Sequence, residues 1–157
     1  MNSRKTVLLF LVIGVSFFCF DAIGQDLVTR KVLSDKMEIL LPMEFSKMDS
    51  ITLSVKYPAG RSRPNEVYTN ANASVNIAFT HSINKSSASE IKKYEDEFIY
   101  ILKQRGGAQL INKERKIVNG NDFVIFAFYS GALNARIYNR IFITILSGRI
   151  LICGFNC

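Results

Sequence analysis

At 157 residues, with 48% hydrophobic and 21% charged side chains and only 3 prolines, the chain has room for one domain with a real core. This composition excludes disorder, and the length excludes a two-domain enzyme. Lys and Arg total 20 against 13 for Asp and Glu, a net charge of +7, but no consecutive basic block suggests a nucleic-acid arm.

Arg4 and Lys5 precede an almost unbroken apolar run over residues 6–20, short of the roughly 20 residues that cross a bilayer. Ala22 and Gly24 then supply small side chains where a signal peptidase requires them, so residues 1–24 read as a signal peptide cleaved before Gln25. The rival is an uncleaved anchor. Lipid attachment at Cys19 is disfavoured, because Phe17 and Phe18 are bulky where a lipobox has small residues. All three readings place the domain outside the cytoplasm. Cleavage leaves it basic, which suits an acidic surface such as anionic lipid or envelope polymer without specifying one.

The mature part, residues 25–157, reads as a single domain. Met37, Ile39 and Leu41 alternate with more polar neighbours up to Pro42, a half-buried strand. Ile51, Leu53, Val55 and Tyr57 repeat the pattern before Pro58, predicting a second strand over 51–57. Residues 58–72 are rich in Gly, Arg, Asn and Pro and read as an exposed loop. Val75, Ile77 and Phe79 then mark a strand over 74–81.

Ser87 and Glu90 have capping-box spacing, and Ile91, Tyr94, Phe98, Ile101 and Leu102 form one apolar stripe, predicting an amphipathic helix over 87–105. Lys92 with Asp96 and Lys93 with Glu97 make i,i+4 pairs on the polar side. Gly106 and Gly107 end it. Residues 109–118, 123–129, 137–146 and 149–155 are strand-length runs of Ile, Val, Phe and Tyr, separated by turns at 119–122, 130–134 and 147–148, an antiparallel meander.

The run 123–128 and the triplet 150–152 are apolar on both faces, so both faces of the sheet should be covered. The helix shields one face. Residues 25–35 are too few and too polar to shield the other fully, so either a helix encoded beyond Cys157 or a partner is expected there. Cys153 and Cys157 remain after cleavage. On a continuous strand their Cα atoms stand about 13 Å apart, beyond disulfide reach. They are a terminal staple if the chain turns at Gly154, and free thiols otherwise.

This layout resembles the PsbP-like, DcrB-related α/β/α sandwich, in a bacterial envelope branch, over residues 33–157. The resemblance is carried by the opening Met37-Glu38-Ile39-Leu40-Leu41-Pro42-Met43-Glu44-Phe45, the Asn119-Gly120 hairpin, Lys56-Tyr57-Pro58, Arg63-Pro64-Asn65-Glu66-Val67-Tyr68-Thr69 and Ile137-Tyr138-Asn139. It implies an α+β fold, an antiparallel sheet with the helix packed on one face, and a non-enzymatic accessory or binding domain without a cofactor. Such domains usually end in a helix after the last strand. Its lack here reads as a frame truncated after Cys157.

His81 is the single imidazole, with no nucleophile elbow or zinc-binding helix around it. It supports a small secreted hydrolase only as an alternative. The candidate ligand site is the loop bearing Tyr57, Arg61, Arg63 and Tyr68, joined by Arg136, Tyr138 and Asn139, since Arg and Tyr dominate binding hot spots. In the plainer reading the tyrosines pack the sheet edge and the arginines stay solvated. The expected partner is an envelope protein or an acidic surface, not nucleic acid, and a membrane only if the leader stays uncleaved. A third alternative is an anchored subunit that docks a partner through an uncovered sheet face.

Overall fold

The computed structural model describes residues 26–60, 63–132 and 135–157. The expected signal peptide over 1–24 and the candidate Arg61 lie outside these residues.

The first elements are strands β1 (Leu27–Val32) and β2 (Met37–Pro42), an antiparallel hairpin in which Val32 faces Met37 and Leu27 faces Pro42. A two-residue strand β3 (Ser46–Lys47) leads into helix α1 (Ser50–Lys56). This corrects the strand expected over 51–57. Asp49 accepts the backbone N–H groups of Ile51 and Thr52 at 2.9 Å each, capping a helix that an alternating pattern of only a few residues could not exclude. Strand β4 (Glu66–Thr69) interrupts the stretch read as loop, and β5 (Asn76–Lys85) follows.

Glu90 accepts the Ser87 backbone N–H at 2.7 Å, opening helix α2 (Ile91–Gln104) through a short 3-10 turn. Both expected helix ion pairs form. The stripe is shifted slightly from expectation: Ile101 is exposed while Ile99 packs inward, and Glu95 is buried on the same face.

Strands β6 (Gln109–Val118), β7 (Asn121–Ala132), β8 (Ala135–Leu146) and β9 (Arg149–Asn156) form the meander. Asn119-Gly120 and Ser147-Gly148 turn it with positive φ at all four residues, the mirror-image turns that suit the twist of a hairpin. The main sheet has seven strands in the order β3-β4-β5-β9-β8-β7-β6. Each hydrogen-bonded pair is antiparallel. The last strand in the chain thus lies inside the sheet.

Two cores follow from the alternation. On one face, Ile91, Leu102 and Phe98 of α2 pack on Val124, Phe126, Phe128 and Ile143. On the other, Val32 and Leu33 of the hairpin pack on Phe79 and Leu151, with Met37 and Ile39 beside them. The chain therefore supplies its own layer on the face that sequence reasoning left bare. Residues 25–35 looked too polar because only Val32 and Leu33 do the burying, helped by Met37 and Ile39 from the returning strand.

Candidate functional site

The hairpin does not lie flat over the whole face. Its turn is anchored by Leu33, held at φ 57° in the left-handed region together with Ser34 and Asp35, an expensive conformation for a bulky side chain. Between β2 and the β7–β9 part of the sheet an open cleft of about 670 Å³ remains, well within the size of small-molecule sites. Met37, Ile39 and Leu41 form its roof. Phe79, Phe142, Leu151, Cys153 and Phe155 form its floor, and Val118 and Phe123 close one side.

Sheet geometry explains why these side chains converge. Successive residues of a strand point to opposite faces, so Tyr138, Arg140, Phe142 and Thr144 of β8 share the hairpin face, while Ile141 and Ile143 face α2. Tyr138 makes edge contacts with Tyr129 and Phe155, at centroid distances of 5.8 and 6.3 Å. Arg140 crosses above Ala127, its partner on β7, and its Nη2 donates to Glu114 Oε1 at 2.9 Å. Its guanidinium sits 5.4 Å from the Phe142 ring centroid, and its Nε is buried with no partner. Burial pushes the Cys153 thiol up to about 12, so it stays protonated and inert as a nucleophile. Cys153 and Cys157 are both free, and β9 runs on through Gly154 without the turn a staple would need.

Of the seven residues singled out from the sequence, the six that the structure describes are distributed over the molecule, and Arg61 lies outside the described residues. Tyr57 and Asn139 line a depression of about 380 Å³ with mixed polar and apolar walls. Tyr68 lines a different one, of about 630 Å³, beside β1 and β3. Tyr138 lies in the apolar cleft. Arg136 stacks on the Tyr129 ring, 3.9 Å from its centroid, and donates to Gln109. Arg63 donates to Ser54 Oγ at 3.2 Å, fastening the loop to α1. His81 is engaged through its backbone N–H to Asn65 and through Nε2, which donates to the Leu146 carbonyl at 3.0 Å. Only Nδ1 is left for base chemistry.

The cleft itself was missed in the sequence because its roof comes from the hairpin. One signal pointed to it: Arg140 is a charge in the middle of the apolar run 137–146.

No protein-family model and no curated protein matches the chain. Solved structures do. The chain is similar to cyanobacterial PsbP, CyanoP, from Synechocystis sp. PCC 6803, with a TM-score of 0.53 and 14% identity over 88% of this chain and 84% of that one. It is also similar to the Saccharomyces cerevisiae Ran-binding protein Mog1p, with a TM-score of 0.50 and 10% identity over 85% and 77% of the two chains. PA94 of Pseudomonas aeruginosa, a protein of unknown function, matches with a TM-score of 0.47 and 10% identity over 83% and 81%. At such identities the likeness is one of fold, and that fold is the PsbP-like α/β architecture.

Proposed function

We propose that the protein is an exported, non-enzymatic binding or accessory domain of the cell envelope, and that it binds through the cleft beneath the β1–β2 hairpin. The observation that carries this reading is the cleft: an apolar space of about 670 Å³, open to solvent, between two layers of one small domain. A concave site walled by apolar side chains with a few polar groups at its edge is the form that small-molecule pockets take. Mog1p, a Ran-binding protein, supports a binding role on this fold. The apolar run and small residues of 1–24 support export. A hydrolase built on His81 is less favoured, since its Nε2 is already committed to Leu146.

The test uses the protein isolated from its own cells. A species from the soluble envelope fraction whose intact mass starts at Gln25 is expected, and a cytoplasmic species would overturn export. That protein should bind the neutral dye Nile red at one saturable site. Cys153→Phe fills the floor and Ile39→Trp fills the roof, and each should abolish the site in a chain that keeps its circular dichroism. Dye binding that is absent, or that survives both variants, would overturn the reading.

A further inference from the structure

Taking the cleft as the binding site, we infer that its ligand is a single-chain amphiphile with an anionic head: a long-chain carboxylate whose head meets Arg140 and whose tail lies under the hairpin. The tail follows from the walls. Met37, Ile39, Phe142 and Phe155 offer apolar surface. At the cleft's edges Leu40 and Val118 are exposed at 64% and 41%, two lips that a bound chain would cover.

The head follows from Arg140. A guanidinium among apolar side chains is retained at a cost unless its donors are met. Glu114 takes one N–H, at Nη2, and Nε is enclosed by the protein, so the donors open to a head group are the remaining Nη N–H groups of a side chain that is 43% exposed. Five donors in a planar fork can serve two carboxylates at once, and a carboxylate oxygen is a stronger acceptor than a hydroxyl. The Phe142 ring flanks the guanidinium, its centroid 5.4 Å away, while the partly exposed Arg140 side chain stays open to a ligand's head group. Lys116, opposite Phe123 in the sheet register, adds a second positive charge on this side of the sheet. Glu38 also lines the cleft but is exposed and lies 3.9 Å from Lys31, which offsets its charge. The net charge of +7, which becomes +6 once Arg4, Lys5 and Asp21 leave with the leader, attracts an anion from a distance.

The experiment is displacement of Nile red by dodecanoate, dodecanol and dodecyltrimethylammonium, each below its micelle concentration. Dodecanoate should displace the dye at a concentration about tenfold lower than the other two, the worth of one charge-assisted hydrogen bond. Arg140→Met should bring dodecanoate to the level of dodecanol and leave dodecanol unchanged. Arg140→Lys, which keeps the charge without the fork, should retain part of the preference and serves if the Met variant does not fold. Equal displacement by the three amphiphiles overturns the anionic head. Dye bound but displaced by none of them overturns the amphiphile while the binding site stands. Absence of any dye site removes the binding reading and this assignment with it.

Discussion

Glu95 is the one buried charged side chain among the described residues, on the inner face of α2. Its carboxylate takes Lys113 Nζ at 2.6 Å and Arg115 Nη2 at 3.1 Å, so alternate residues of β6 clamp the helix to the sheet edge. The Lys113 hydrogen bond, reinforced by the charges of Lys113, Arg115 and Lys92, holds its carboxyl below the usual range against the opposing effect of burial. Because the folded value is depressed, the stabilisation is complete above the unfolded value of about 4.3 and is lost as pH falls through the folded one. Glu95→Gln should therefore cost about 1.5–3 kcal/mol at pH 7, the range for hydrogen bonds to charged groups. The difference from the parent should shrink toward pH 3. Urea unfolding at pH 7, 5 and 3 measures it, and a pH-independent difference would reject the ion pair as its source. Glu95 and Arg140 share a sequence signature: each is a charge at a position where its neighbours of the same face are apolar. That signature was readable. The partners were not, because Lys113 and Arg115 lie across a helix–sheet contact and Glu114 lies two strands from Arg140.

At the scale of elements, the sequence was most legible where periodicity was long or turn chemistry strict. Helix α2 carries an apolar stripe over several turns and a cap, and Asn119-Gly120 and Ser147-Gly148 occupy the positive φ values such dipeptides favour. Helix α1 was not legible as a helix. Its Ile51 and Val55 are more than three-quarters exposed, so the alternation suggesting a strand reflects no buried face, and the decisive feature was the Asp49 cap. The β1–β2 hairpin was read only in its second half. Its attachment rests heavily on Leu33, which is 6% exposed and held in a strained turn. Leu33→Ala should cost about 2–5 kcal/mol as a cavity-forming change. The loss should be local first: amides of β1 and β2 exchange faster and Nile red binding falls, while β7 and β8 keep most of their protection. Uniformly accelerated exchange across the sheet would show that the hairpin does not open as a separate unit.

For the whole molecule, the position of β9 decides how the parts cooperate. The meander joins β6, β7, β8 and β9 through local turns, and those pairings could be anticipated from the sequence. The pairing of β5 with β9, Phe79 opposite Cys153 and His81 opposite Leu151, could not, because the helix and three strands intervene. It is this long-range pairing that joins β3–β5 to the meander. It also gives both cores a common strand, since Ile150 and Ile152 pack toward α2 while Leu151 and Cys153 pack toward the hairpin. Local opening of the hairpin aside, two faces served by alternate residues of one strand should lose their packing together in the global transition. Leu151→Ala, at a position 1% exposed, should cost about 2–5 kcal/mol. Ile152→Ala acts on the opposite core, and should lower the same thermal transition rather than create a second one. Calorimetry distinguishes the cases: one shifted transition in each variant fits a sheet closed by β9. A separate low-temperature transition in Leu151→Ala alone would mean that the hairpin-side core melts by itself, and that β9 is held chiefly by β8.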